Sequence, residues 1–295
     1  MSDFPYRINN RIRAVNFFRK FLMYPWAEKS LIFLNKKYPK ARKFVPPEYL
    51  YSSKSYRIAA HDEVVYRLDL SNVIDHSLYF FNRYFTPLQF FELIRENAII
   101  LDIGANIGTV ALRAASISKN GLVYAFEPDT DNYDSLQFNI GLNSFRNIIP
   151  IKKALGHVPG KSKLFKINRH NTGMNRILSS RENFSDFEWI EVVTLDEEVT
   201  RLQLERIDLI KIDVEGYELN VLKGAERILT KFRPLIVIEV IEINLKNNAQ
   251  TSFEVIQFLK SLGYYFVDLK TGKQLMDEHQ LETDILCYCN HNPLT

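Results

Sequence analysis

From residue 97 onward, short apolar runs alternate with segments of helical periodicity, and this rhythm restricts the fold more than any other feature of the chain. Ile99–Ile103, Leu122–Phe126, Ile148–Ala154, Ile207–Ile212 and Leu235–Val240 are apolar runs of strand length. Between and after them, 107–118, 130–142, 217–230 and 252–262 repeat their apolar residues at helical spacing. Strands covered on both faces read as unbroken hydrophobic runs, as a mostly parallel sheet between two helix layers requires. The expected fold is therefore α/β, with a doubly wound, mostly parallel sheet. Two further strands, Tyr264–Leu269 and Asp284–Tyr288, have no helical pattern between them and fit an antiparallel pair. Residues 161–195 break the alternation: Leu164–Ile167 and Trp189–Val193 bracket a polar stretch, which reads as an inserted hairpin or lid.

The region before this rhythm is of a different kind. Residues 1–57 hold 13 Lys/Arg against 3 Asp/Glu, a formal +10, whereas the whole chain carries only +3. Such a basic segment on an acidic body suits an anionic surface, or folds back on that body. Ile8, Ile12, Val15, Phe18 and Leu22 form a helical stripe over 7–24, widened by Phe17 and Phe21 and accompanied by several arginines. The stripe either packs against the rest of the chain or lies at a membrane interface. The division expected is a basic helical extension and connector over 1–63, then one domain over 64–295. With no signal-peptide pattern and no apolar run of membrane-spanning length, a cytoplasmic protein is expected, its membrane contact, if any, peripheral through residues 1–24. Cys287 and Cys289 stand two apart near the end of the chain. Strand alternation puts both on one face as small buried hydrophobes, consistent with a reducing compartment.

In open α/β sheets, ligands collect where strands end, near the point at which strand order reverses. The first strand runs into Asp102-Ile103-Gly104-Ala105-Asn106-Ile107-Gly108, whose glycines allow a tight turn into a helix and close approach to a ligand. The second ends at Glu127, where an acidic residue commonly accepts hydrogen bonds from ribose hydroxyls. Together they indicate an adenosine-containing ligand. The dinucleotide fingerprint wants glycine where Asn106 stands, so the turn is poor for a pyrophosphate and acceptable for an amino-acid carboxylate. A third cluster, Lys211-Ile212-Asp213-Val214-Glu215-Gly216, sets two carboxylates at a strand tip, where they must be solvated, hydrogen-bonded or paired. Helix capping is their alternative role. Glu239 lies near the end of the next strand.

At these segments the chain resembles the FkbM-type methyltransferases of the class I S-adenosylmethionine-dependent fold. The resemblance rests on LDIGANIG at 101–108, FEP at 126–128, TLDE at 194–197, IDLIKIDVEGYELNVLKGAERIL at 207–229 and IVIEV at 236–240, and covers roughly 64–289. It implies a seven-stranded sheet and methyl transfer from S-adenosylmethionine, usually to a hydroxyl on a sugar, glycan or related metabolite. It also implies that Asp102, Gly104, Asn106 and Gly108 surround the methionine part of the cofactor and Glu127 its ribose. Ala154 and Leu155 would then lie near the adenine, with Asp213 and Glu215 facing the methyl-transfer cleft. The chain departs from the family at Met174-Asn175-Arg176, where relatives often carry small hydroxyl residues.

An alcohol acceptor must lose a proton, so a general base or a metal is expected nearby. Asp213 and Glu215 are the first candidates and His170 the next, although His170 also reads as a surface histidine. Asp213, Glu215 and Glu239 can alternatively gather a divalent cation. The competing functions are an NAD-dependent oxidoreductase and a non-catalytic cofactor-binding scaffold. No nucleic-acid partner is expected, because no recognised binding module is present.

Overall fold

The computed structural model describes residues 10–168, 170–178, 185–275 and 280–290, so Arg7 and Ile8 of the expected first helix lie outside the described residues. The chain divides into two compact units. The smaller comprises the described residues through Ala59 together with Arg67–Tyr84; the larger takes Ala60–Tyr66 and the described residues from Phe85 on.

The smaller unit is built on helices α1 (Asn10–Lys20), α2 (Pro25–Lys37) and α3 (Val73–Phe81). Strands β1 (Tyr56–His61) and β2 (Val64–Asp69) pair in a two-stranded sheet that contributes residues to both units. Pro25 opens α2, where its fixed φ suits the first helical turn and its missing N–H costs no bond. Asn72 caps α3 by accepting from the Ile74 amide at 2.9 Å, and Asn82 ends it in the left-handed region at φ 48°. At the heart of this unit Glu28 is fully buried. Its two oxygens accept from Arg57 Nε at 2.7 Å and Nη2 at 2.9 Å, from Tyr51 at 3.1 Å and from Tyr79 at 3.3 Å.

The larger unit begins with a short helix α4 (Gln89–Glu92) and then follows the expected alternation: β3 (Ile99–Ile103), α5 (Thr109–Ile117), β4 (Leu122–Phe126), α6 (Thr130–Gly141) and β5 (Ile148–Ile151). Next come four strands of a separate sheet, β6 (Ala154–Leu155), β7 (Gly160–Phe165), β8 (Arg176–Ile177) and β9 (Phe187–Val193). The main rhythm resumes with α7 (Leu195–Arg201), β10 (Leu209–Ile212), α8 (Glu218–Lys223), α9 (Glu226–Phe232), β11 (Leu235–Ile241), α10 (Glu242–Lys246), α11 (Ser252–Ser261), β12 (Tyr265–Asp268) and β13 (Glu282–Tyr288).

The main sheet has seven strands in the order β12-β13-β11-β10-β3-β4-β5. β11, β10, β3, β4 and β5 run parallel, while β13 is antiparallel to both β11 and β12. This is the doubly wound, mostly parallel α/β fold expected, including the antiparallel final pair. Its central strands are buried along nearly their whole length, which explains why they stood out as unbroken apolar runs. Both cysteines join one hydrophobic cluster, Cys287 inside and Cys289 at its margin.

Two elements differ from the sequence reading. The run Ile148–Ala154 is not one strand. β5 stops at Ile151, Lys153 turns to Glu198 at 2.6 Å and Glu191 at 3.4 Å, and Ala154 begins β6 in the smaller sheet. The helix expected over 217–230 breaks at Gly224, where a Cβ would stand only 2.0 Å from the Gly156 carbonyl oxygen. Backbone approaching that closely leaves room for glycine alone.

Candidate active site at the switch point

Strand order reverses between β3 and β10: the chain leaves β3 toward β4 and β5, then returns to lay β10 along its other side. The two carboxyl-terminal turns are therefore neighbours. Gly104 follows β3 at φ 85°, and a Cβ there would lie 1.9 Å from the carbonyl oxygen of Asp213. Asp213 in turn donates its amide to the Ile103 carbonyl at 3.0 Å. The glycine turn and the acidic turn thus form a single construction. Any side chain at Gly104 would drive the two apart.

The glycine turn is held from the other side by β4. The amides of Gly104 and Ala105 donate to the Phe126 carbonyl at 3.0 and 2.9 Å. Asn106, left-handed at φ 52°, donates its amide to Glu127 Oε2 at 2.7 Å, and Asp129 donates to Glu127 Oε1 at 2.9 Å. Gly108, at φ 90°, leads into α5 and packs so tightly on Leu136 and Leu112 that a Cβ would clash with both. Burial, followed by the charge of Asp129, pushes the Glu127 carboxyl up to about 8.

Asp102 lies inside the sheet, opposite Lys211 on β10 and Ala125 on β4. It is fully buried, and neither carboxylate oxygen has a hydrogen-bond partner among the described residues. Burial raises its carboxyl to about 6 against the opposing attraction of Lys211. Lys211 is buried too and donates to Asp213 Oδ2 at 2.9 Å. Burial works against its charge, but Asp213 and Asp102 more than offset this and push its pKa upward.

Beyond β10 the acids crowd. Asp213, Glu215 and Glu239 each offer an oxygen such that all three lie within 4.8 Å of one another, an arrangement that can hold a divalent cation. Glu239 faces Asp284 across the β11–β13 pair. The charge of Asp213, together with burial, raises the Glu239 carboxyl far above its usual range. Burial, then Asp213, does the same for Glu215, against the pull of Arg176. Glu215 is held in the left-handed region at φ 56°, a conformation retained where surrounding contacts over-determine it. Its Oε2 accepts from Asn244 at 2.8 Å and faces Arg176 Nη2 at 3.8 Å.

The sequence reading missed several of these partners. Arg176, from the segment where the chain departs from its relatives, is buried and donates to Asn244 at 2.9 Å, while Asn175 donates to Asp129 at 3.0 Å. The smaller sheet thereby reaches both sides of the strand tips, after β4 and after β11. Departure from the family pattern was the available signal for Arg176; Lys211 stood in the acidic-turn segment with no role assigned to it, and nothing in the sequence marked Asn244. Of the expected residues, Asp102, Gly104, Asn106, Gly108, Glu127, Asp213 and Glu215 come together at the ends of β3, β4 and β10. Ala154 and Leu155 are buried in β6, paired with Val192 and Val193 of β9. His170 sits half-buried in a turn of the insert, its amide bonded to Asn168 at 2.8 Å, outside the group of converging carboxylates. TLDE at 194–197 is a capping box on α7: Thr194 accepts from the Glu197 amide at 3.1 Å and Glu197 returns the bond at 3.3 Å.

The Methyltransferase FkbM domain matches residues 102–266, more than half of the chain. The hexuronic acid methyltransferase AglP of Haloferax volcanii is 30% identical over 146 residues, covering 50% of this chain and 57% of that protein. Methyltransferase sdnD of Sordaria araneosa is 30% identical over 160 residues, 44% of this chain and 61% of that one. The 2-O-methyltransferase NoeI of Sinorhizobium fredii is 27% identical over 154 residues, 48% and 63%. The chain thus spans about three fifths of the length of these relatives. Among solved structures, a Methyltransferase FkbM from Methylobacillus flagellatus superposes with TM-score 0.44 at 16% identity, covering 95% of this chain and 60% of that one. The match runs from Asp102 through the acidic turn of β10 to β12, and the chain belongs to the FkbM methyltransferase family.

Proposed function

We propose that the chain is an S-adenosylmethionine-dependent O-methyltransferase acting on a hydroxyl of a sugar, glycan or related metabolite. The observation that carries this reading is the packing of Gly104 against Asp213, which joins a cofactor-binding turn to a cluster of acids suited to a reacting hydroxyl. Family membership supports the reaction, and two relatives named for a hexuronic acid and for 2-O-methylation support the acceptor class.

The residues present fit the cofactor. The orphaned, buried carboxylate of Asp102 suits the ammonium of an amino acid, and the left-handed turn through Gly104, Asn106 and Gly108 would border the same part of the cofactor. Glu127 would take the ribose hydroxyls on the lone pairs its two backbone partners leave, and Ala154 and Leu155 would border the adenine. When bound, S-adenosylmethionine supplies a methyl group on a sulfonium, which needs alignment more than activation. Glu215 and Asp213 would hold the acceptor hydroxyl. As its oxygen attacks, the proton passes to Glu215, whose raised affinity for protons suits a base at neutral pH. Lys211 keeps Asp213 oriented, and Arg176 with Asn244 keeps Glu215 in place. The convergence of Asp213, Glu215 and Glu239 favours a second role, as ligands of a divalent cation that would polarise the hydroxyl instead.

Calorimetric titration with S-adenosylmethionine, S-adenosylhomocysteine and NAD, with and without magnesium, tests the proposal. Binding of the two sulfur ligands and not NAD, weakened by Glu127→Gln, is expected. Methyl transfer to a panel of uronic acids and oligosaccharides should follow. Binding of NAD alone, or of none of the three, would overturn the reading, and binding of the sulfur ligands with no transfer to any acceptor would leave the cofactor-binding scaffold. Turnover that survives chelation removes the cation and leaves Glu215 as the base.

A further inference from the structure

The sequence left two roles for the apolar stripe near the N-terminus, and the burial pattern of α1 separates them. Among the described side chains of α1 the buried one is polar: Asn16 donates to the Tyr49 hydroxyl at 3.1 Å and accepts from Arg19 at 3.1 Å. Phe17, Phe18 and Phe21 are more than half exposed and lean on one another edge to face, with ring centroids 5.5 and 5.8 Å from Phe17. α2 repeats the arrangement. It buries Ala27, Glu28, Leu31 and Asn35, while Trp26 is 71% and Phe33 68% exposed, two turns apart on the opposite side. Single exposed apolar residues are ordinary, but a run of aromatics over two consecutive helices marks an interaction surface.

The charge around these rings is of one sign. Residues 10–47 contain ten Lys/Arg and the single acid Glu28, which is buried and paired with Arg57. Lys20, Lys29, Lys36, Lys37 and Lys43 are all exposed along the same segment. Phenylalanine prefers the acyl boundary, tyrosine and tryptophan the headgroup level, and lysine stems reach past apolar surface to lipid phosphates. We propose that this surface docks on an anionic lipid bilayer. A second copy of the chain would set like charges face to face. A single-stranded nucleic acid wants open ring faces spaced for stacking, whereas the phenylalanines of α1 pack on each other. Docking is peripheral, since no helix among the described residues is long and apolar enough to cross a membrane. The inference uses residues of the smaller unit only and stands apart from the chemistry proposed above.

Sedimentation of the full chain with vesicles of phosphatidylcholine, with and without phosphatidylserine, tests it. Binding to the serine-containing vesicles is expected, at least about tenfold tighter than to neutral ones and weakened by salt. The variant Phe17→Ser/Phe18→Ser/Phe21→Ser keeps every charge and alters only exposed positions. It should melt like the parent and lose binding on the order of tenfold or more. The chain has two tryptophans, so Trp189→Phe leaves Trp26 as the sole reporter, and its emission should shift to the blue on the same vesicles. The proposal is overturned by unchanged Trp26 emission, by vesicle binding that ignores the phenylalanines, or by no vesicle binding at all. RNA binding or dimerisation that depends on the phenylalanines in the absence of vesicle binding overturns it equally.

Discussion

Glu28 in α2 and Asp102 in β3 are both fully buried carboxylates, but one is surrounded by donors and the other is not. Glu28 receives four hydrogen bonds, two from a guanidinium and two from tyrosine hydroxyls. Asp102 has no hydrogen-bond partner on either oxygen among the described residues, and along β10 and β11 Asp213, Glu215 and Glu239 crowd together at its end of the sheet. A buried charge with every lone pair satisfied ties helices to a strand and specifies one arrangement. A buried acid left without partners costs stability, and such costs concentrate where a ligand completes the site. The first region is built for the folded chain itself, the second for something that binds it.

The largest test of this contrast is Asp213→Asn. If the cleft acids serve the reaction, turnover should fall by roughly 10²- to 10⁴-fold, with S-adenosylmethionine binding close to that of the parent by calorimetry. Near-normal turnover would remove Asp213 from the chemistry and make its cluster structural. Glu28→Gln probes the other side. The amide keeps the shape but turns a donor toward Arg57. Breaking a buried pair typically costs 3–5 kcal/mol; here about 3 kcal/mol is expected, because the Arg57 side chain stays 22% exposed. Urea unfolding would show the loss, while turnover per folded molecule stays as it was.

How much of this contrast could be read from the sequence follows from how far apart the cooperating residues lie. β3, β4 and β11 were legible because burial on both faces leaves a local signature of unbroken apolar residues. Gly104, Glu127 and Asp213 were legible because each sits at the end of such a strand. The smaller sheet was read only as an inserted hairpin, because its pairing joins Gly160 to Val192 and Ala154 to the same residue, and no local pattern records register over that distance. The break in the helix at Gly224 depends on Gly156, far away in the chain. Arg176 and Asn244 share no motif and meet only in three dimensions. In the N-terminal stripe the periodicity was legible, but not which face is covered: the helix buries its asparagine and exposes its phenylalanines.

Acidity offers a third test. Glu127 keeps its proton up to about pH 8 in the folded chain, against a usual glutamate value of 4.5, because burial disfavours its charge. Between those values unfolding releases a proton, so the contribution of Glu127 to stability falls as pH rises, by at most about 1.4 kcal/mol per pH unit. Buried His76, whose pKa is lowered by burial, works in the opposite sense below its ordinary value of 6.5. His76 drops out above about pH 6.5, but Asp75, Glu215, Glu218 and Glu239 are raised by burial and neighbouring charge and act in the same sense as Glu127. The share of Glu127 is therefore the difference between parent and Glu127→Gln between about pH 6.5 and about pH 8. Unfolding midpoints of the parent should decline there more steeply than those of Glu127→Gln, and parallel profiles would refute the assignment.

The smallest effect expected is also the one whose sign separates the two regions most directly. Glu239 stands opposite Asp284 across paired strands and within reach of Asp213 and Glu215, and like charges placed directly opposite destabilise a sheet. Held protonated by these neighbours, Glu239 must take up on folding a proton that the unfolded chain has lost near neutral pH. Glutamine keeps the volume and removes that uptake, so Glu239→Gln should stabilise the chain by about 0.5–2 kcal/mol. Each kcal/mol would appear as a rise in Tm of about 2–4 °C, where Glu28→Gln gives a fall. A fall for Glu239→Gln as well would mean that the cleft acids are as well compensated as Glu28. The cost attributed to the cleft would then not exist, and neither would the physical reason for reading it as a site awaiting its ligand.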